Sequence, residues 1–123
     1  MIETPHVVVG AAIAMKVANP ALALPLALGS HFVLDKVPHW NPHLFTETKK
    51  FGKPSQRSTF IVAADIITSI IIGISIARLA LPDTTAFLTV IAACFLSVLP
   101  VFVEGAYFFL NFRPKLIERW IKF

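Results

Sequence analysis

Two long runs of apolar residues fill most of the second half of the chain. The first is predicted as a transmembrane helix over residues 59–81, where the only charged residues are Asp65 and Arg78. The second is predicted over residues 85–112, where Glu104 is the only charged residue. Both runs exceed the roughly 20 apolar residues that an α-helix needs to cross the hydrocarbon core of a bilayer. We therefore expect two helices that span a membrane.

The N-terminal part, residues 5–38, is also apolar but is divided by a break at Asn19 and Pro20. The pieces on either side are short for two full spans, so the choice is one broken span or a helical hairpin that dips into the membrane. In one continuous helix His6 would lie about 37 Å from His31, whereas a hairpin would bring both side chains to nearly the same depth. We expect the hairpin.

Two polar segments carry most of the positive charge. The first, residues 39–58, is predicted as a basic loop, and the second, residues 113–123, as a short helix in the membrane interface. Their basic residues are Lys49, Lys50, Lys53, Arg57, Arg113, Lys115, Arg119 and Lys122. Because such residues favour the cytoplasmic side of transmembrane segments, we expect both segments on that side of a cytoplasmic (inner) membrane.

The composition agrees with this pattern. Of the 123 residues, 56% are hydrophobic and 15% are charged, and the mean hydropathy is +0.75, which is too apolar for an ordinary soluble domain. The sequence therefore predicts an all-α integral membrane protein, with an N-terminal broken helix or helical hairpin, two further transmembrane helices and a short C-terminal interfacial helix. So few short helices enclose little space, which favours a homo-oligomer.

The net charge of +4 bears on the partners. Basic residues beside membrane segments attract anionic lipid head groups, so membrane lipids are predicted partners. The sequence does not show the interleaved aromatic and basic residues of a nucleic-acid module. Nucleic acid is therefore not expected as a partner.

The segment SHFVLDKVPHW, residues 30–40, holds the densest group of candidate metal ligands. His31, Asp35 and His39 follow each other at intervals of four residues, so on a helix they would fall within an arc of roughly 80°. One ion can bridge His31 and Asp35. His39 lies about 12 Å from His31 along an ideal axis, so it is expected at a second ion or in the turn that leaves the helix.

Other ionisable residues of the apolar segments lie at a similar expected depth. Asp65 and Glu104 are each placed about 10–12 Å below a helix end. Because an ionisable group inside a bilayer is costly unless it is paired or hydrated, such residues favour a functional interpretation. The predicted metal ligands are His6, His31, Asp35, His39, Asp65 and Glu104.

This set of side chains favours catalytic metal chemistry. Imidazoles and carboxylates without a nearby thiolate suit one or two ions of Zn²⁺, with Mn²⁺ or Fe²⁺ as alternatives, in an open site. The motif would bind one ion, and His6 and Asp65 would complete the site or bridge a pair. Glu104 or His39 would bind the second ion or move protons. The predicted catalytic residues are therefore Asp65, Glu104 and His39.

The sequence also resembles a known family. Thr4-Pro5-His6, the SHFVLDKVPHW motif and Asp65 in a later apolar helix resemble the YdjM-like family of membrane-bound metal-dependent hydrolases. That family is similar in its motifs to zinc-dependent phospholipase C and the single-strand-specific zinc nucleases. The resemblance implies that His6, His31, Asp35 and His39 are metal ligands, with Asp65 next.

One position departs from the family pattern. Relatives often have Leu-Pro-Asp in a late helix, where this chain has Leu99-Pro100-Val101. Either Glu104, one turn later, supplies the acid, or the site lacks one ligand.

Three functions remain open. A metal-dependent hydrolase would act at the cytoplasmic interface on a phosphoester of a lipid or another amphiphile, as the resemblance implies, and needs an open coordination position. There Lys36 or Arg57 could hold the phosphate, although both are more typical of charges that face lipid head groups. A non-catalytic metal-binding or metal-transporting protein is the second function, and transport needs a polar path across the membrane. A structural or accessory subunit is the third, and needs only paired charges.

Overall fold

The computed structural model describes residues 2–122, and these residues form helices and no strands, which confirms the all-helical prediction. The helices in chain order are α1 (Thr4–Lys16), α2 (Pro20–Leu34), α3 (Leu44–Phe51), α4 (Gln56–Arg78), α5 (Thr84–Phe109) and α6 (Lys115–Lys122). Two of them, α4 with 23 residues and α5 with 26, are long and apolar enough to cross a membrane. These are the two helices that the hydropathy pattern predicts.

The N-terminal segment forms two separate helices that pack against each other. Pro5 lies in the first turn of α1 and Pro20 begins α2. A backbone N–H at these positions has no partner within the helix, so proline costs no hydrogen bond there. The side-chain oxygen of Asn19 caps α2 by accepting a hydrogen bond of 3.0 Å from a backbone N–H of the first turn. The chain thus adopts the hairpin arrangement, and α2 ends at Leu34, before the predicted boundary at residue 38.

The two long helices begin and end earlier than predicted. α4 begins at Gln56 because Ser55 caps it, its hydroxyl oxygen accepting a hydrogen bond of 3.1 Å from a backbone N–H of the first turn. α4 ends at Arg78 and α5 ends at Phe109. Beyond α5, Asn111 has a φ of +55°, a left-handed conformation that does not continue a helix.

The predicted basic loop, residues 39–58, contains the helix α3, which the sequence prediction missed. α3 ends at Gly52, which has a φ of +78° and provides the left-handed C-cap. On α3, the Glu47 carboxylate accepts hydrogen bonds from the Ser55 N–H at 2.7 Å and the Ser58 hydroxyl at 2.8 Å. These bonds lower the pKa of Glu47 and hold α3 against the start of α4.

The helices approach each other closely at small residues. On α1, Gly10 faces α5, where an added Cβ would lie 2.8 Å from Ser97 Cβ and Oγ. On α4, an added Cβ at Gly73 would lie 3.1 Å from the Val7 side chain of α1. The buried core is rich in alanine: Ala11, Ala23, Ala27, Ala77 and Ala93 are fully inaccessible. Such small residues allow the backbones of neighbouring helices to pack at short distance.

The outer surfaces of the long helices are apolar. Phe60 and Ile71 of α4 are 75% and 60% exposed, and Leu88 and Phe95 of α5 are 57% and 54% exposed. A soluble monomer rarely exposes so much contiguous apolar surface. The long helices therefore differ from the buried core helices of a soluble domain.

The tail contains α6, a short helix with mixed basic and apolar residues. The ring of Trp120 lies edge-on against Phe32 of α2, with the two centroids 5.8 Å apart. The tail therefore contacts the N-terminal hairpin. Phe123, the last residue of the predicted tail, lies outside the described residues.

Candidate metal centre

Three of the predicted ligands meet where α1 and α2 pack side by side. His6 lies near the start of α1, and His31 and Asp35 lie one turn apart at the end of α2. Because the two helices form a hairpin, the beginning of the first lies beside the end of the second. One potential ligand atom from each residue lies within 4.8 Å of the others, so this group could hold a metal ion. We call these three residues the metal group.

The carboxylate of Asp35 lies near the Nε2 atoms of both imidazoles. Its Oδ2 is 3.1 Å from His31 Nε2, and its Oδ1 is 3.6 Å from His6 Nε2. With metal–ligand bonds of about 2.0–2.2 Å, two ligands of a tetrahedral ion lie roughly 3.3–3.6 Å apart. Both separations from Asp35 are close to that spacing.

A backbone carbonyl fixes the orientation of His31. Its Nδ1 lies 2.8 Å from the carbonyl oxygen of Ser97 on α5. Since a carbonyl can only accept, Nδ1 carries the hydrogen. In a neutral ring the lone pair is then on Nε2, the nitrogen that faces Asp35. A metal-binding histidine usually donates its other ring N–H to a carbonyl or carboxylate in this way. The contact therefore presets His31 as a ligand.

Pro100 lies inside α5 and has no N–H to bond the carbonyl of Leu96, so the regular hydrogen-bond ladder of the helix is interrupted next to Ser97. The contact with His31 lies in this part of α5.

The two imidazole rings are stacked. The centroids of His6 and His31 are 4.2 Å apart and the ring planes differ by 25°. Because a metal ion lies close to the plane of each imidazole that binds it, at least one of the two rings would have to turn out of the stack to share an ion.

The group is closed on one side and open on the other. His6 is fully buried and His31 is 2% exposed, while the side chain of Asp35 is 39% exposed. Water can therefore reach the group past Asp35. This differs from a closed structural zinc site, in which protein ligands fill all four positions.

The structure does not bring His39 into the three-residue group. α2 ends at Leu34, so the four-residue spacing is no longer helical at position 39. His39 is exposed, and its Nδ1 lies within hydrogen-bonding distance of the carbonyl of Val37, two residues earlier. It therefore occupies the turn that leaves the helix, the second of the two predicted alternatives.

Asp65 lies outside the three-residue group, and its role as a metal ligand stays a prediction. Its carboxylate accepts hydrogen bonds from the backbone N–H of Glu3 and, at 2.6 Å, from the hydroxyl of Thr4. These groups belong to the start of α1, where the first N–H groups of a helix lack partners within the helix. Asp65 therefore ties α4 to the N-terminus of α1 and so positions His6 indirectly.

Glu104 is a neighbour of the group, but the three-residue group does not include it. It interacts electrostatically with Asp35 and His31, and the Trp120 side chain of α6 lies within hydrogen-bonding reach of its carboxylate. Glu104 also lines a separate cavity between α3, α4 and α5. The two candidate phosphate-binding residues, Lys36 and Arg57, are both exposed.

Two functional features could be read only in part from the sequence. Glu3 is 5% exposed, and its carboxylate lies within hydrogen-bonding reach of Ser69 and near Asp65. In the sequence, the position of Glu3 one turn before His6 could have indicated that it lies near the group. The contact of the Ser97 carbonyl could not be predicted from the sequence, because every residue has a carbonyl.

No family model, no curated protein and no solved structure matches this chain. The resemblance to the YdjM-like family therefore stays a prediction from its motif residues. The functional interpretation depends on the geometry of the three-residue group and on the two long apolar helices.

Proposed function

We propose that this protein is a membrane-embedded, metal-dependent hydrolase that acts on a phosphoester of a lipid or another amphiphile at the cytoplasmic interface. The observation that carries the proposal is the group of His6, His31 and Asp35. It combines two buried imidazoles with a carboxylate that is accessible from one side. Three protein ligands and one open position are typical of catalytic zinc.

Membrane insertion is supported by the exterior of the long helices. Large apolar side chains cover the outside of α4 and α5, where lipid would surround them. The basic residues lie in the segments before α4 and after α5, which by the positive-inside rule face the cytoplasm. The metal group lies at the end of α2, next to one of these segments.

The ligand set favours Zn²⁺, although Mn²⁺ and Fe²⁺ also accept two imidazoles and a carboxylate. The three residues account for one ion, and a second would need Glu104 nearby. When bound, a divalent ion lowers the pKa of a coordinated water to about 7 and polarises a phosphoryl oxygen. In this proposal the Ser97 carbonyl orients the ring of His31, and the buried ring of His6 excludes water from the inner side.

Metal transport is less well supported. A transporter needs polar groups that line a path beyond the metal group. The hydroxyls below it donate hydrogen bonds to backbone carbonyls three or four residues earlier in their own helices: Thr68, Ser69, Ser75, Thr89 and Ser97. Such hydroxyls are already satisfied within the helix and offer little to a passing ion.

A decisive test measures metal and activity together. Elemental mass spectrometry of the detergent-purified protein is expected to find about one equivalent of a transition metal per chain. Asp35→Asn should lose most of it, because the amide replaces an anionic ligand with a neutral one. Glu118→Gln on α6 is the matched control and should keep the metal.

Hydrolysis is then measured on phospholipids and isoprenoid phosphates in mixed micelles. Release of the phosphorylated or dephosphorylated head group should depend on the metal and disappear in Asp35→Asn. Full metal occupancy without turnover of any phosphoester would favour a non-catalytic metal-binding protein. Equal, negligible metal in all three proteins would favour an accessory subunit held together by paired charges.

A further inference from the structure

A groove made of two adjoining cavities runs along α4 and α5. Its wider part is a cavity of about 630 Å³ between α3, α4 and α5, and its narrower part is an adjoining cavity of about 190 Å³ that reaches Gly73 and Ile74. The two parts share Glu3, Ile66 and Phe102 in their walls. We call the two together the α4–α5 groove. None of the three metal-group residues lines it.

The groove has the dimensions of a site for one hydrocarbon chain. The wider cavity falls within the roughly 300–1,000 Å³ that is typical of small-molecule sites. From Thr59 to Ile74 the wall formed by α4 is about 22 Å long at 1.5 Å per residue. The narrow part is lined almost entirely by apolar side chains such as Val7, Ile70 and Phe95. A long alkyl chain fits this shape and this polarity.

The wide end differs from the narrow end because it carries hydrogen-bond acceptors. Glu3 at the start of α1 and Glu104 on α5 line it, and so does His43, which precedes α3. Asn41 also lines it, but its buried Oδ1 is inaccessible to solvent and therefore does not face the open cavity. The hydroxyl of Thr59 donates to the Ser55 carbonyl of its own helix, so it is not available as a donor.

The charge of the wide end selects the head group. Two acidic residues and one histidine, His43, line the wide end, and no lysine or arginine is found among the described lining residues. Carboxylates there would repel a phosphate or carboxylate head group, whereas an ammonium group supplies both the charge and the N–H donors. We propose that the α4–α5 groove binds one long-chain amphiphile whose head group is an ammonium, held by Glu3 and Glu104.

This site goes beyond the proposed hydrolase, because it needs neither a metal nor a reaction. The probe is a diazirine analogue of hexadecylamine, with the diazirine midway along the chain, and the control probe is the matching diazirine fatty acid. Each is added to the full chain in a non-ionic detergent, irradiated, and located by peptide mass spectrometry. The amine should label residues 59–74 of α4 and residues 91–109 of α5 on the sides that face the groove. The fatty acid should label them at least roughly tenfold less.

A neighbouring pair of alanines provides matched steric variants. Ala63 and Ala64 are adjacent and exposed on α4, but only Ala63 lines the groove. Ala63→Phe should abolish groove labelling by filling the wide end, while Ala64→Phe should label as the wild type does. Since both variants add the same ring at the same depth, a general effect on folding would change both.

A second pair tests the head group. Glu104→Gln keeps the shape but removes the charge, and should reduce labelling by the amine roughly tenfold, the loss expected for one charge-assisted hydrogen bond. Glu118→Gln, outside the groove, should change nothing. Asp35→Asn should also label normally, so the groove can be confirmed even if the protein proves to bind no metal.

Several results would overturn the proposal. Equal labelling by the amine and the fatty acid would remove the ammonium assignment. Labels spread over the outer faces of α2, α4 and α5 would mean ordinary contact with the detergent phase. A dimer that Ala63→Phe disrupts and Ala64→Phe preserves, without groove labelling in the wild type, would assign the groove to a second copy of the chain.

Discussion

Replacement of Gly10 by alanine tests how closely the metal group depends on the packing of α1 against α5. The added Cβ would lie 2.8 Å from Ser97 Cβ and Oγ and 2.9 Å from the carbonyl oxygen of Ala93. Ordinary contact begins at 3.4 Å, so α1 must move away from α5 by about 0.6 Å at this point. The carbonyl and the α5 backbone cannot rotate aside as a long side chain would.

The movement of α1 lowers the stability of the fold and shifts His6 relative to the rest of the metal group. Overpacking of this kind costs about 1–3 kcal/mol of unfolding free energy. His6 lies one turn before Gly10 on the same face of α1, whereas His31 is held by Ser97 on α5. A displacement of about 0.6 Å therefore separates His6 from the other two ligands, and metal sites tolerate only about 0.2 Å in their distances. We expect metal affinity to fall roughly tenfold or more.

The control is Gly29→Ala on α2, where an added Cβ meets nothing within 4 Å. Both substitutions gain the same helix propensity, so the difference between the variants isolates the packing term. Unfolding is followed by circular dichroism in detergent, and metal affinity by competition with a chromogenic chelator. The reasoning would be refuted if Gly10→Ala matched Gly29→Ala in both unfolding midpoint and metal affinity.

Three further predictions concern the same group. Asp65→Ala should lower the unfolding free energy by about 1–2 kcal/mol, because the start of α1 loses its cap. A chelator competition at saturating metal should still find one equivalent bound. Loss of all metal would return Asp65 to the ligand set. His39→Ala should keep wild-type metal content by elemental analysis, and a loss would place His39 in the site. Removal of metal by EDTA should lower the thermal midpoint of the wild type and not of Asp35→Asn. The reason is that an ion present at 100 times its Kd stabilises the folded protein by about 2.7 kcal/mol. Equal shifts in the two proteins would contradict the proposed metal site.

The sequence predicted the elements well because hydropathy and helix breaks are local properties. The long apolar runs became α4 and α5, and Asn19 with Pro20 separated α1 from α2. α3 was missed because most of its residues are polar and the helix depends on a tertiary contact, the hydrogen bonds that Glu47 accepts from Ser55 and Ser58. A charged loop and a charged surface helix look alike in composition.

The metal group was predictable only where its spacing was local. His31 and Asp35 lie four residues apart on one helix, so their proximity follows from helix geometry. The position of His6 required the hairpin. Depth in the membrane could not separate Asp65 and Glu104 from the three residues of the group, because depth does not say which face of a helix points to which neighbour. Asp65 proved to bind backbone N–H groups, which no pattern of side chains reveals.

The hydrogen bonds between Asp65 and the start of α1 also bear on the order in which the protein is made. All three metal-group residues are present once the first 35 residues have been synthesised. The groups that hold them come later: Asp65 on α4 and the Ser97 carbonyl on α5. In the proposed metal site, a growing or truncated chain would therefore carry all three side chains without the contacts that hold them in place. Metal capture would then require a chain whose last long helix has been made and inserted.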